Sequence, residues 1–425
     1  MSTDDIIVGL DIGTTKIAAV VGKQDEYGNV KVLGVGYHPS NGLRRGVVIN
    51  IEQTVDSIKK AVEHAELLSG HTIDEVYVGI AGDHIRSINS KGVISVKGED
   101  KERSKAKNND VITEEDVKRV IGAAQAIALP LDREIIHVLP QEYIVDSQDG
   151  IKNPVGMHGV RLEAEVHIVT AAAAAAKNIA NCVVQAGCRI ADIVLEPYAS
   201  SMAVLDSDER DLGVCILDIG GGTTDIGMFF DGSIRFTSSV GLGGNHVTWD
   251  LSQGLRTSMP QAEEIKLQSG IAMESLLESE ELVKVKGVGG RAARDISRSV
   301  IAAIIEPRMT EIFQLALRQM EKSNVLENMA AGVVLTGGAS LLTGIAELAE
   351  RVMGMPVKIG FPNISGGLAE SAHNPAYATG VGLLHYALRH EKKNDDNDDE
   401  DHTSFKWILD RMKNMLHSMF GDEQN

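Results

Sequence analysis

Cys215-Ile216-Leu217-Asp218-Ile219-Gly220-Gly221-Gly222-Thr223-Thr224-Asp225 runs from an apolar stretch through an aspartate and a glycine turn into a second apolar stretch, Ile226–Phe230. The same order occurs near the N-terminus, where Ile7-Val8-Gly9-Leu10-Asp11-Ile12-Gly13-Thr14-Thr15-Lys16 leads into Ile17–Val21. Asp11 and Asp218 lie 207 positions apart. One such loop alone reads as a glycine-rich β-hairpin, but a matched pair at domain spacing predicts two related lobes facing one another across a cleft. Glycines let a turn between strands approach an anion closely, with backbone N–H groups pointing at it. Threonine hydroxyls add hydrogen bonds, and Lys16 can neutralise phosphate charge. An aspartate from each side, Asp11 and Asp218, can hold Mg²⁺ through its water shell, because Mg²⁺ prefers oxygen ligands and gives up water reluctantly. The candidate phosphate ligands are therefore Asp11, Gly13, Thr14, Thr15 and Lys16 on one side. On the other they are Asp218, Gly220, Gly221, Gly222, Thr223 and Thr224. Neither loop reads GxxxxGK[ST], and a strand rather than a helix follows each, which argues against a P-loop or a Rossmann fingerprint.

Working outward, Val333-Val334-Leu335-Thr336-Gly337-Gly338-Ala339-Ser340 is a third glycine cluster after an apolar run. Gly337, Gly338 and Ser340 are candidates for lying against a base and ribose, although strand–Gly-Gly–helix turns are common. Asn374 to Gly382 opens a small-residue helix suited to close packing at a hinge, and Glu196-Pro197 opens another over Tyr198–Leu205. A lone Glu at a helix start is ordinarily a favourable first-turn charge. Apolar runs at Ile6–Leu10, Ile17–Val21, Val76–Ile80, Val214–Leu217, Ile226–Phe230 and Val333–Leu335 predict strands. Helical spacing covers Val117–Ala128, Lys177–Gln185, Val300–Lys322 and Ala346–Met353. This alternation predicts an α/β protein with both sheet faces covered.

The 425 residues allow roughly three domains, and 43% hydrophobic residues allow a real core. A formal charge of −19 argues against nucleic acid as a partner, since phosphate binding needs a basic footprint. Three cysteines cannot form a disulfide framework, and the acidic N-terminus lacks the basic-then-apolar pattern of a signal peptide, so a cytosolic protein is expected. Three compositional breaks divide the chain. Gly98–Asp110 is a charged loop followed by a helix start at Thr113, with an acid three residues on. Gln148–Gly159 reads as a loop. Glu391–Asp401, with seven acids against two lysines, reads as a solvated linker. The histidines form no HExxH or similar constellation.

Together the motifs resemble the nucleotide-binding core of the actin, Hsp70 and sugar-kinase superfamily. The resemblance covers most of residues 5–390 and implies an actin-like ATPase fold of two lobes around a cleft for Mg²⁺ and ATP. Leu195-Glu196-Pro197 is similar to the Hsp70 connecting motif, which makes Glu196 a candidate for orienting an attacking water. Ala262-Glu263-Glu264-Ile265-Lys266 is similar to the helix whose Glu and Lys grip adenosine, which adds Glu263 and Lys266. The loops leave open whether weak hydrolysis follows binding. A sugar kinase would also need a base aimed at a hydroxyl, for which no candidate stands out. An Hsp70-type chaperone would need a peptide-binding β-domain where only a short tail remains.

Within the superfamily, Asp11–Ile17, Gly79-Ile80-Ala81-Gly82, Gly241-Leu242-Gly243-Gly244, Val288-Gly289-Gly290-Arg291 and Ile305-Glu306-Pro307-Arg308 are similar to the FtsA family. That resemblance implies a first lobe from 1–84, 166–200 and 375–390 and a family-specific inserted subdomain at 85–165. It implies a second lobe from 201–245 and 306–374 and a small subdomain at 246–305. It implies, as partners, the acidic C-terminal peptide of the ring protein FtsZ, further copies in a filament, other division proteins and the anionic inner face of the cytoplasmic membrane at the septum. Arg291, Arg294 and Arg298 form a basic patch that would suit such a peptide, or are simply solvated helix residues.

The acidic linker, 391–403, is followed by a segment at 404–420. On a helical wheel Phe405, Ile408, Leu409, Met412, Met415, Leu416, Met419 and Phe420 share an arc of about 140°. Lys406, Arg411, Lys413 and His417 lie outside that arc, and Trp407 falls on the polar side. A cationic amphipathic helix beyond a hydrophilic linker predicts a membrane-surface anchor, in agreement with the family resemblance. A soluble actin- or Hsp70-like ATPase serving another assembly is the alternative.

Overall fold

The computed structural model describes residues 6–96, 110–279, 281–366 and 369–396. The segment at 404–420, with all eight of its proposed membrane-facing residues, lies outside them, as does most of the charged loop at 98–110. Among the described residues no helix is long and apolar enough to cross a membrane.

Two five-stranded sheets repeat one topology. The first runs Arg189–Leu195, Glu75–Ile80, Ile7–Ile12, Lys16–Gln24, Val30–Pro39. The second runs Val357–Ile359, Val333–Thr336, Val214–Ile219, Thr224–Phe230, Ser233–Val240. In each, an antiparallel meander of three strands is extended by two parallel strands on the other side of its first member. All six residues of Ile7–Ile12 and of Val214–Ile219 are buried, because helices cover both faces and the sequence is apolar rather than alternating.

The first sheet packs Ile51–Ser69 and Ala173–Gln185 into a core around Ile58, Ala61, Ile80 and Ile179. Gly36 lies directly under the former helix, where a Cβ would sit 2.2 Å from the Ala65 nitrogen. The second sheet packs Arg298–Met320 over Ile305, Ile312 and Phe313, with Pro307 inside the helix. Between the lobes, Glu196–Val204 and Ala378–Asp396 cross each other in contact. A Cβ on Gly382 would stand 2.0 Å from the Ala199 carbonyl oxygen, and one on Gly9 would stand 2.4 Å from that of Gly380. One apolar cluster there combines Ile7 and Val20 of the first lobe with Ile216 and Val334 of the second around Val381 and Leu384.

The inserted region is a four-stranded antiparallel sheet in the order Arg86–Ser95, Arg161–Ala172, Arg133–Val145, Gln148–Ile151, with the helix Glu114–Gln125 packed against it. The helix starts at Thr113, whose backbone N–H donates to Asp116 at 3.0 Å while its hydroxyl accepts from the Asp116 N–H. The sheet rests on the edge strand of the second lobe through polar contacts. Gln141 Nε2 donates to the Ile234 carbonyl at 2.8 Å, Ser87 Oγ donates to that of Thr237 at 2.9 Å, and the His167 ring bridges Asn89 and Thr237.

The structure corrects several expected boundaries. Gln148–Ile151, read as loop, is a strand because it completes a hairpin with Arg133–Val145. The limits at 165/166, 200/201, 245/246 and 305/306 fall inside single elements: Arg161–Ala172, Glu196–Val204, Gly244–Gly254 and Arg298–Met320. These elements pass between subdomains without a break, so composition shows no change there. The expected linker from 391 begins as helix, since Ala378–Asp396 continues six residues into it. Cys182, Cys188 and Cys215 are all buried and free.

Candidate functional site

The two echo loops close their turns with the same bond, Gly13 N–H to the Lys16 carbonyl and Gly220 N–H to the Thr223 carbonyl, each 3.0 Å. They meet at a cavity of about 330 Å³ between the lobes. There they interlock. A Cβ built on Gly221 would stand 2.3 Å from Thr15 Cγ2, and one on Gly222 would stand 2.7 Å from Thr14 Oγ1. The second loop's glycines thus leave room for the opposite loop's threonines. Thr14 Oγ1 also accepts from the Gly46 N–H at 3.2 Å, which ties its loop to the lobe behind it.

Charge in the cavity is unbalanced. Asp11, Glu196, Asp218 and Asp225 line it together with Lys16 and Lys266. Burial, reinforced by Asp218 and opposed by Lys16, pushes the Asp11 carboxyl up to about 6. Burial also raises Asp218, against the hydroxyl bonds it receives from Ser200 and Thr379. Asp225 reaches about 7 through burial, despite accepting from Thr223 Oγ1 at 2.8 Å and from the Gly82 backbone. Glu196 is held well above the usual carboxylate range by burial and by the charges of Asp11, Asp225 and Asp218. Its side chain lies over Gly79, where a Cβ would meet Cγ at 3.0 Å. Lys16 is lowered by burial, its ammonium sits 4.0 Å from the Tyr377 ring centroid, and it donates to the Ala376 carbonyl.

Away from the loops, Gly337 has φ +83°, and a Cβ there would be 2.4 Å from Asp218 Oδ1. Only glycine satisfies both conditions. Lys266 pairs with Glu263 at 2.8 Å and donates to Thr248 Oγ1 at 2.9 Å and to the Gly244 carbonyl at 3.2 Å. This preformed cluster borders the cavity, with Gly244 lying between Lys266 and Ala339.

Most of the sequence-predicted ligands therefore converge. Thr224 and Ser340 do not: Thr224 Oγ1 donates to the Leu242 carbonyl at 2.9 Å, and Ser340 Oγ to that of Gly337 at 2.7 Å. Both hydroxyls brace the walls from behind. Two of the three patch arginines are also committed elsewhere. Arg294 donates to the Leu255 carbonyl, while Arg298 donates to the Ser269 carbonyl at 3.0 Å and pairs with Glu281 at 3.0 Å. Arg291 is exposed on the approach to the hairpin strand Arg294–Ser297.

Sequence reasoning missed Asp225, Asn245, Tyr377 and Thr379, all of which line the cavity. The 207-residue offset could have singled out Asp225, since it places an acid where the first lobe has Ala18. Nothing local marked Tyr377 or Thr379 for the cavity, because both belong to a helix start read as packing.

A family model described as cell division protein FtsA matches residues 215–382, and one described as the SHS2 domain inserted in FtsA matches 82–170. The chain is 46% identical over 384 residues to the cell division protein FtsA of Pseudomonas aeruginosa, covering 90% of this chain and 89% of that one. It is 40% identical over 388 residues to that of Escherichia coli K12, with 90% of each covered, and 36% identical over 392 residues to that of Bacillus subtilis, with 92% and 86% covered. Among solved structures it is similar to the PilM-PilN type IV pilus biogenesis complex, with TM-score 0.62, 16% identity, and 90% of this chain and 98% of that one covered. It is similar also to MreB5 of Spiroplasma citri bound to ADP, with TM-score 0.57, 14% identity and 93% and 99% covered. These likenesses show an actin-like ATPase fold. With relatives above one-third identity along nine-tenths of its length, and with the inserted sheet in the family's place, the chain belongs to the FtsA family of cell division proteins.

Proposed function

We propose that this protein binds Mg²⁺·ATP between its lobes, assembles into filaments and works in cell division. In that role it joins the FtsZ ring to the cytoplasmic membrane through its C-terminal amphipathic segment. The observation that carries the nucleotide part is the meeting of two equivalent turns, each with an aspartate, glycines and threonines, at one cavity. The residues suit the metal. Four cavity carboxylates, Asp11, Glu196, Asp218 and Asp225, have raised proton affinity, with Lys16 acting on Asp11 and Asp218, and a divalent cation would relieve that excess. Among the described residues no three such groups converge to ligate a cation directly. Asp11 and Asp218 would therefore act on the metal's water molecules, as Mg²⁺ favours. Glu263 and Lys266 would take the ribose side, with Gly337 and Gly338 against the base. Glu196, whose proton affinity is raised by burial and by Asp11, Asp225 and Asp218, would orient a water once the metal offsets those charges.

The division role rests on family membership, and the tail supports the membrane part. One interfacial helix binds weakly, so filament avidity would hold the assembly on the bilayer. For the FtsZ peptide, Arg291 and Arg294 are both exposed in the small subdomain, although Arg294 also donates to the Leu255 carbonyl, while Arg298 is drawn to Glu281 and the Ser269 carbonyl. Charge reversal at Arg291 should therefore weaken an acidic peptide most at low salt.

Co-sedimentation with anionic vesicles, with and without ATP and with and without residues 403–425, tests the whole. Binding should require the tail and increase with ATP. Replacing Met412 and Leu416 by Glu should cost on the order of a hundredfold in vesicle affinity, since two buried side chains worth roughly 1.5–3 kcal/mol each are lost in part. Vesicle binding indifferent to the tail would favour the soluble ATPase reading instead.

A further inference from the structure

Asp218 is held by a pair of hydroxyls that come from the two helices crossing between the lobes. Ser200 Oγ, on Glu196–Val204, donates to Asp218 Oδ2 at 2.8 Å. Thr379 Oγ1, in the first turn of Ala378–Asp396, donates to the same oxygen at 3.3 Å. The two hydroxyls are 3.0 Å from each other, and all three residues are buried. Oδ1 lies on the Gly337 side, where the absence of a Cβ leaves it room. One carboxylate oxygen is therefore committed to the two helices, while the other lies beside Gly337, itself part of the cavity lining.

These helices are also the structural joint. Gly382 brings the Ala378–Asp396 helix onto the Ala199 carbonyl, one residue before Ser200. Any change in the angle between the lobes shifts one helix against the other, and so alters the distance between the two hydroxyls that share Oδ2. The same helix start carries Ala376 and Tyr377 next to it, which hold the Lys16 ammonium of the opposite loop. One short segment thus receives a contact from each phosphate loop.

We propose that Ser200 and Thr379 are positioning residues for the metal: they fix which Asp218 oxygen faces it, and they link metal affinity to the crossing angle of the interlobe helices. This rests on the reading of the cleft as a Mg²⁺·ATP site. Linkage makes the effect reciprocal, so that metal-nucleotide binding narrows the range of interlobe angles to the same free-energy extent that the clamped angle favours the metal.

The test is calorimetric titration of the full chain with ATP in Mg²⁺ and with ATP in EDTA, the ratio of the two affinities being the metal gain. Asp218→Asn should abolish the gain. A gain that persists there, or a wild type that binds no ATP, overturns the cleft reading itself. The Ser200→Ala/Thr379→Val double variant should lose about tenfold of the gain, a shift of about 1.4 kcal/mol. Thr379→Ser, which keeps the hydroxyl, should retain it. Spin labels at the exposed positions Glu63 and Glu350 should report a distance distribution that Mg²⁺·ATP narrows in the wild type and not in the double variant. An undiminished gain in a folded double variant overturns the proposal while sparing the cleft. So does a Thr379→Ser variant as defective as Thr379→Val. If the double variant melts early, Thr379→Val alone against Thr379→Ser decides.

Discussion

The two glycine-threonine loops that line the cavity share a backbone and differ in how they handle buried charge. At an offset of 207 residues Asp11 matches Asp218, Gly13 matches Gly220, Lys16 matches Thr223 and Ala18 matches Asp225. The cross-strand pairs are Asp11 with Ala18 and Asp218 with Asp225. The first lobe therefore places one acid beside one cation, whereas the second places two acids and no cation. In the second, hydroxyls stand in for the missing charge: Ser200 and Thr379 on Asp218, and Thr223 on Asp225. Hydrogen bonds to a carboxylate favour its charged form but cancel no charge. Both second-lobe acids stay raised, and the cleft as a whole is left in need of a cation. Repetition of the fold supplied the geometry, and departures from the repeat supplied the electrostatics.

The sharpest way to break this comparison is to force the loops apart. Gly221→Val puts a side chain 2.3 Å from Thr15 Cγ2, so ATP affinity should fall at least ~100-fold. Gly220→Ala, whose Cβ would meet nothing nearer than 3.5 Å, should leave the melting temperature unchanged. Titration calorimetry and a thermal melt check both, and wild-type affinity in Gly221→Val would show that the interlock is irrelevant.

Next in size, Lys16→Met makes the first loop resemble the second by removing its cation. A charge-assisted bond to phosphate contributes about 1.5–3 kcal/mol, so ATP should bind roughly 10- to 100-fold more weakly. A loss below threefold would mean that Lys16 stays on Ala376 and Tyr377 in the complex.

The smallest effect concerns the extra acid. Burial raises the Asp225 carboxyl from its ordinary 3.8 to about 7 in the folded protein. Its contribution to stability is therefore present below pH 3.8 and is lost as pH rises toward 7. Without nucleotide, Asp225→Asn should flatten that decline and melt a few degrees above the wild type at pH 8. A variant that melts lower at pH 8 would show that the ionised carboxylate stabilises the fold.

The sequence was legible where local chemistry and periodicity coincide. The fully apolar runs around Asp11 and Asp218 marked central strands, the Thr113–Asp116 box marked a helix start, and the glycine-threonine turns marked segments that line the interlobe cavity. Each of these depends on a few consecutive residues, whose backbone preferences and burial are decided within the segment. The expected limit at 305/306 falls inside the single helix Arg298–Met320, which carries no change in composition there, whereas the expected inserted segment 85–165 lies within the matched 82–170.

By itself, then, the sequence determined the repeated lobe, the chemistry of the two turns and the amphipathic character of the tail. Only the tertiary structure decided that Thr224 and Ser340 brace the site from outside, that Arg294 and Arg298 are spent on carbonyls and Glu281, and that Thr379 meets Asp218 across 161 positions. The reason is the nature of a hydroxyl or guanidinium group. It can satisfy its hydrogen bonds with any acceptor that folding brings near, so its residue type states what it can donate, and only the packed chain states to what.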